Sequence, residues 1–599
     1  MKKIIFFVAL FAVSTLLMAQ TPMSGTYTVG TAAGSNYSSL SAAVAALNTN
    51  GVGGNVILEI TSDITEPANI GLGVNTGAYS ITIRPDQDAD RTITFTKATD
   101  NTSATGHFII GLTTTGLGVA WNTANVIPTN NVTIDGFAEG GSTRRLTFTN
   151  SGANYGSRVI SVVGGCANTT IKNCNIINTS TGSSPVALTG IVLTISAGNE
   201  TFPTNLTVDN DNVSCMSSTT GMGIRLTTSI FSGQTASTTA HITGFVLKNS
   251  IISAQRRVVE INLAIGGDIH NNTFIFDEKA SPGSVTYGVC TNPAGTTAVS
   301  GTFNIYGNNF TKSVTTETAA TTAGGHRVLH LSSGATYNVY NNFFAGLDKT
   351  NPPAGTNAIN LTYIFFGGAG SIYNNTFYMP ALTNASAGTG YYSAIQLSYA
   401  NPNIENNIFI NDEPLHPNAY FVNSVTTGIS DYNVYYMRTA NPSPKFTSAT
   451  ASFTAYQTAN STKDLHSVYK DVTFVDQSIG DLRLSGASVA DQELGMPLLP
   501  QVTTDMFGTT RASTTFAGAY EANNLTLLTN VVTPEGNGIK ISSTTTGVVA
   551  QFDGKATIEL YTVNGILIEK TQAYQSYSHD LNKGIYILRV NGKAVKFVH

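Results

Sequence analysis

Apolar and polar positions alternate along most of this chain, and one phrase keeps returning. It reads VTIDGF (132–137), TIKNCNI (170–176), TVDNDNV (207–213), VLKNSII (246–252), DIHNNTF (268–274), NIYGNNF (304–310), NVYNNFF (338–344), SIYNNTF (371–377) and NIENNIF (403–409). The apolar anchors are Ile134, Ile171, Val208, Leu247, Ile269, Ile305, Val339, Ile372 and Ile404, spaced 37, 37, 39, 22, 36, 34, 33 and 32 residues apart. A period near 33 with a minimum of 22 is that of stacked coils, the shortest almost free of loops and the others carrying surface insertions.

Each phrase holds a corner. Two residues after the anchor only Asn or Gly occurs: Gly136, Asn173, Asn210, Asn249, Asn271, Gly307, Asn341, Asn374 and Asn406. These residues best tolerate positive φ, so the chain is expected to bend there through a left-handed residue. Five residues after the anchor an apolar side chain returns, as at Ile176, Val213, Ile252, Phe274, Phe310, Phe344, Phe377 and Phe409. Stacked coils would place the bend asparagines in one hydrogen-bonded column. A second strand precedes most corners, as in RVISVV (158–163), RVVEIN (257–262), RVLHLS (327–332) and AIQLSY (394–399). Its alternation predicts one face inward and one outward.

These corners and strands together resemble the right-handed parallel β-helix of the pectate-lyase-like superfamily, over roughly residues 55–520. The resemblance implies an all-β solenoid and no particular activity, since that fold carries lyases, hydrolases, esterases and adhesins. Both ends of a solenoid need closing. YSSLSAAVAALNTNG (37–51) reads as an N-terminal capping helix, with Leu40, Val44 and Leu47 on one face and Gly51 as its stop. At the other end, TTDMFGTTR (503–511) and GAYE (518–521) resemble the closing segment of secreted bacterial β-helix proteins. The match is at Asp505, Gly508, Arg511 and Glu521, expected to finish the last coils through carboxylate–arginine pairing.

The tail has a different pattern. After a linker at 523–537, ATIELYTVNGILIEK (556–570) and LNKGIYILRVNGKAVKFVH (581–599) alternate around Asn-Gly pairs. Such pairs are strong hairpin signals, so a small antiparallel β-sandwich is expected. The arrangement resembles the type A sorting domain of type IX secretion cargo, here residues 538–599. That resemblance implies the type IX machinery as partner, passage through the outer membrane of a Gram-negative bacterium, removal of the tail and attachment at the cell surface. The other end agrees with export. Lys2 and Lys3, the apolar run from Ile4 to Met18 and the small Ala19 read as a signal peptide over residues 1–19, with the β-helix and its caps filling 20–522. That run is short for a membrane span and no second one follows.

Composition narrows the function. Charged residues make up 11% of the 599, and the net charge is −5. A nucleic-acid binder would need a basic stripe, and none is present. Cys166, Cys174, Cys215 and Cys290 lack CxxC spacing, which argues against zinc. The sequence leaves their disulfide state open.

Catalytic motifs are mostly missing. The Asn-Thr-Asp, Asp-Asp and Gly-His-Gly signatures of β-helix polygalacturonases do not occur. No metal or cofactor is expected: the nearest approach to a Ca2+ site is DNDN (209–212), which corner geometry explains. Two surface patterns stand out. Arg158, Arg257 and Arg327 open equivalent strands, with Glu260 and His330 three residues beyond the last two. Arg257 and Arg327 would lie two coils apart, ~10 Å at ~4.8 Å per coil. With Glu260 and His330 they could hold an acidic sugar and abstract its C5 proton. Tyr306, Tyr340 and Tyr373 follow successive anchors, with Tyr435 later, and point outward as a column able to meet sugar faces. Two functions remain open: a surface polysaccharide binder with lyase or hydrolase activity, and a non-catalytic adhesin or structural protein.

Overall fold

The computed structural model describes residues 21–96, 106–113, 126–138, 140–151, 157–196, 199–230, 237–276, 285–295, 298–312, 326–345, 361–381, 392–398, 400–412, 419–423, 428–438, 452–522, 531–532, 540–543, 547–582 and 584–598. The expected signal peptide and most of the expected linker lie outside them. Among the described residues no helix is long and apolar enough to cross a membrane.

The body is a right-handed parallel β-helix. Each coil gives one strand to each of three sheets, in the order Ser300–Tyr306, Asn309–Lys312, His326–Leu331 for one coil. The first, second and third sheets so formed hold 14, 13 and 12 described strands. All nine anchors fall in one register file of the first sheet, from Ile134 paired with Ile171 to Ile372 paired with Ile404. Every one is buried. Similar side chains one coil apart thus stack in the core, while the loops that vary in length lie between the strands.

The corners follow the expected bend with two corrections. Asn173, Asn210, Asn249, Asn271, Asn341, Asn374 and Asn406 have φ between 49° and 58°, and Gly307 has 64°. Gly136 does not share that conformation. A Cβ there would meet the Asn173 carbonyl oxygen at 1.6 Å, so close approach, not handedness, requires glycine. The second correction concerns the ladder. The bend side chain turns outward, and the hydrogen-bonded column runs one residue later, inside. Asn272, Asn308, Asn342, Asn375 and Asn407 each donate Nδ2 to Oδ1 of the next rung, the last being Asn433, at 2.9–3.1 Å. The backbone N–H of each rung donates to the same oxygen. Asp211 and Ser250 extend this column at one end, and Ser467 with Asp464 closes it at the other. Fully satisfied buried amides fix the coil register.

Behind the ladder runs a column of stacked rings: Phe274, Phe310, Phe344, Phe377, Phe409 and Tyr435, with centroids 4.7–5.0 Å apart. Tyr435 therefore belongs to the core, not to the outward tyrosines. In SDYNVYY the bend residue is Tyr432 (φ 56°) and the ladder residue Asn433, which puts Tyr435 at the inward return position.

Helix Leu40–Asn50 caps the first coil. Ser39 accepts from Ala42 N–H at 3.1 Å, and the buried Glu66 carboxylate accepts from Leu40 N–H at 2.7 Å. The far end is closed by helix Phe453–Ala459, whose Tyr456 donates to Asp464 Oδ2 at 2.9 Å. The closing segment is placed differently from expectation. It runs along the corner ridge rather than finishing the last coil. Asn341 donates to Thr504 O, Asn374 to Phe516 O, and Asn406 to Pro497 O, so the bend asparagines of three successive coils clasp it. Within it Arg511 and Glu521 form a buried pair at 3.3 Å.

The tail is an antiparallel sheet of hairpins. Strand Gly547–Thr562 pairs with Leu567–Asp580 along its length. One half also takes Lys540–Ser543 as neighbour and the other Ile585–Val590, and both halves share one core. Val531–Val532 joins this sheet, so it begins inside the stretch that reads as linker. At Asn591-Gly592 both residues have positive φ, 51° and 81°, as a two-residue hairpin turn of that kind demands.

Candidate functional site

The third sheet carries the charged candidates. Its strands are buried on both faces, as at Arg158–Val163 and Thr286–Thr291, which corrects the expected outward face. Ile109, Val163, Ile191 and Leu193 of its own strands form an apolar cluster with Leu112 and Val126, separate from the main core. Polar side chains on this sheet therefore sit in a partly desolvated setting.

Two files run across the coils. One is Arg257, Tyr287, Arg327, Thr362 and the other Arg225, Glu260, Cys290, His330, Phe365. Arg257 and Arg327 are thus two coils apart, with Tyr287 between them. Arg158 occupies the same file three coils earlier and is buried, its pKa lowered to about 9 by burial and by Arg225.

Glu260 is 3% exposed and bound from three sides. Arg257 Nη1 reaches Oε2 at 2.6 Å, Arg225 Nε reaches it at 3.3 Å, and Asn262 Nδ2 donates to Oε1 at 2.8 Å. Burial pushes this carboxyl up, but the Arg225 and Arg257 guanidiniums outweigh it and hold the group below the usual range. His330 is set the other way. Burial, then Arg327 and Arg257, lower its pKa to about 3. Arg327 Nη1 donates to His330 Nδ1 at 2.9 Å, so the neutral ring carries its proton on Nε2. Phe365 supports both, stacked on His330 at 4.7 Å and lying under the Arg327 guanidinium at 4.1 Å. His330 and Phe365 line a recess of ≈ 680 Å³ whose rim includes Asn292–Gly295 and Ser332.

This arrangement suits binding better than proton abstraction. Glu260 is ionised but enclosed, and His330 is too weak a base at neutral pH. The cations are better placed. Among the described residues neither Arg256 nor Arg327 has a carboxylate within ion-pair distance, and Arg225 and Arg257 share one. Arg225, Tyr287 and Phe365 were not singled out from sequence. Register would have found Tyr287, one residue before the GVCTNP strand (288–293); Phe365 had no signal, because an aromatic in an apolar run reads as core.

The tyrosine column is only partly as expected. His270, Tyr306 and Tyr340 stack with centroids 4.7 and 4.8 Å apart and planes within 3°. Both faces of Tyr306 are therefore covered, and what the column turns outward is ring edges and hydroxyls. Tyr373 keeps the register but is buried, its hydroxyl accepting from Asn403 Nδ2 at 3.2 Å. The DNDN carboxylates diverge: Asp209 pairs with Lys248 at 3.3 Å, while Asp211 lies inside the ladder. The four cysteines are buried free thiols, and burial pushes Cys166 and Cys215 up to about 12.

No protein-family model matches this chain, and no curated protein resembles it in sequence. Two solved structures share features of its backbone. One is PfbA, a surface adhesin of Streptococcus pneumoniae, 12% identical, covering 67% of this chain and 83% of that one at a TM-score of 0.29. The other is a pectin methylesterase from Aspergillus niger, 12% identical, covering 72% and 92% at a TM-score of 0.24. The fold rests on the three parallel sheets themselves.

Proposed function

We propose that this chain is a cell-surface protein of a Gram-negative bacterium that binds an acidic polysaccharide along its third sheet and acts as an adhesin rather than an enzyme. The observation that carries the reading is Arg327, a cation without a described carboxylate partner, held by Phe365 and His330, which themselves line a recess. Arg257 lies two coils away, so a glycan along the solenoid axis would present carboxylates to both. Among the described residues no accessible base stands beside them, which favours binding over a lyase.

The route to the surface is part of the proposal. The tail, from about residue 538 onward, would be the address read by the type IX secretion machinery. Its hairpins and separate core support this reading. Deleting residues 530–599 is expected to leave the β-helix folded but retained in the periplasm; surface display of the truncated chain would defeat the sorting assignment.

The binding test is titration with polyuronates while following ultraviolet absorbance for unsaturated products. Binding without product formation is expected, with loss of binding in Arg327→Ala. Accumulation of unsaturated product would restore the lyase reading. Failure of every polyuronate to bind would remove the acidic-glycan reading.

A further inference from the structure

The corner ridge has a gap. Seven of the nine bend positions read from sequence are asparagines, and their side chains line the ridge. Gly307 interrupts the row between Asn271 and Asn341 while keeping the left-handed backbone, φ 64°. The missing side chain leaves a notch. The closing segment passes beside it, and the two enclose a cleft of ≈ 400 Å³ lined by Asn271, Tyr306, Gly307, Tyr340, Asn341 and residues 501–508. That volume lies within the range of small-ligand sites.

The polar groups in this cleft are of one kind. The Asn271 amide and the Tyr306 and Tyr340 hydroxyls have no protein hydrogen-bond partner among the described residues. Burial raises the pKa of both tyrosines, so they stay hydroxyls. The charged groups nearby are already occupied. Asp505 Oδ1 accepts from the backbone N–H groups of Phe507 and Thr509, and Oδ2 from that of Glu521. Arg511 is buried on Glu521, Asn341 and Gly518 O. At the mouth Phe507 is 57% exposed and presents ring surface to the cleft. Phe343 and Tyr520 pack edge to face with it at 6.1 and 6.0 Å, and the Arg483 guanidinium lies over the ring at 6.0 Å, so the ring is held in place.

We infer that the Gly307 cleft is a second glycan site, taking a neutral pyranose from a polysaccharide. The amide and two hydroxyls would meet sugar hydroxyls, and Phe507 would meet the apolar C–H face of the ring. Among the described residues that line the cleft none carries a charge without a partner, which sets its ligand apart from the acidic one proposed for the third sheet. A protein with both sites would grip a mixed glycan at two places, and linked sites raise avidity without new contacts.

The repeat itself supplies the test. Gly307→Asn installs the residue that neighbouring coils use, in a conformation asparagine accepts, so the fold should keep or gain stability. The added side chain fills the notch: its Cβ would collide with Asn271 Oδ1, so that flexible amide must swing aside, while the Asn271 backbone N at 3.6 Å is in ordinary contact. The full chain is titrated calorimetrically with cello-, xylo-, manno- and galacto-hexasaccharides and with a hexauronate. At least one neutral hexasaccharide is expected to bind. Gly307→Asn and Phe507→Ala should each weaken it by about tenfold or more, roughly the loss of one or two hydrogen bonds or of a ring contact. Arg327→Ala should leave it unchanged, which separates this site from the third sheet. The inference is overturned if no neutral hexasaccharide binds, if both variants bind as wild type does, or if only the hexauronate responds to Gly307→Asn. Should Gly307→Asn lower the melting temperature, Phe507→Ala decides by itself.

Discussion

Asn374 and Asn375 are neighbours in the chain with opposite tasks. Asn374, at φ 49°, makes the bend and donates outward to the closing segment, to Phe516 O and Gly518 O at 3.5 and 3.4 Å. Asn375 faces in. Its Oδ1 accepts from Asn342 N–H and Nδ2 at 3.1 and 2.9 Å, and its Nδ2 donates to Val339 O at 2.9 Å and to Asn407 Oδ1 at 3.1 Å.

Their substitutions should therefore differ sharply. Asn375→Ala orphans several buried groups, each worth ~1–3 kcal/mol when left unpaired. Asn374→Gly keeps the backbone conformation and loses two long bonds, so it should stay within ~1 kcal/mol of wild type. Denaturant midpoints measure both. Equal midpoints would mean that the inner column does not fix the coils.

The same pair shows what the sequence disclosed. The double asparagine stands in four phrases, at 271–272, 341–342, 374–375 and 406–407, and its first member is legible as the bend because only Asn and Gly occur there. The sequence does not separate the ladder residue from the bend residue, because alternation is disturbed at a left-handed bend: consecutive side chains leave on different sides of the coil. The anchor file was legible to the residue, since one covalent repeat maps to one coil. The third-sheet site was half legible. Arg257, Glu260, Arg327 and His330 recur at equal offsets, but whether a carboxylate is accessible depends on Arg225 from a neighbouring coil and on covering layers that leave no periodic mark.

The ladder also predicts a pH effect. Asp211 occupies a rung, its Oδ1 accepting from Cys174 N–H at 2.7 Å, and it is completely buried. Burial raises its pKa well above 3.8. The folded chain then holds a proton that the unfolded chain releases, so stability is full below about pH 4 and falls as pH rises above the unfolded value. Asp211→Asn supplies the amide used elsewhere in the column. It should raise the melting temperature at neutral pH and have little effect near pH 3. A variant less stable than wild type at both pH values would show that Asp211 is not carried as the neutral acid.

The closing segment depends on Arg511. Breaking a buried ion pair by removing one partner typically costs ~3–5 kcal/mol, because the other charge stays desolvated. Glu521→Ala should therefore loosen the segment from the ridge and expose residues 495–521 to limited proteolysis. Replacing both Arg511 and Glu521 by methionine should recover part of the loss. Unchanged proteolysis in Glu521→Ala would place the segment's stability in its apolar contacts, which include Leu494, Met496 and Phe516.

Glu260 gives the sharpest test of the acidic site, because binding and proton transfer predict opposite outcomes for it. As a catalytic base, Glu260→Gln would abolish turnover and leave binding alone. In the structure Glu260 is instead the internal counter-ion that occupies Arg225 and Arg257. Glutamine keeps the size and an accepting oxygen for Asn262 while removing the negative charge that competes with an external carboxylate. Charge-assisted hydrogen bonds to a ligand are worth ~1.5–3 kcal/mol each, so releasing even one guanidinium should tighten polyuronate binding by about tenfold or more. Because the gain is electrostatic, the salt dependence should steepen with it. The variant should also be less stable, since two guanidiniums then remain half-buried beside each other without their shared anion. Tighter binding in a less stable protein is the expected signature, read by titration at two salt concentrations and by thermal melting. Weaker polyuronate binding in Glu260→Gln would mean that Glu260 itself touches the sugar, and the third sheet would have to be read as a catalytic face again.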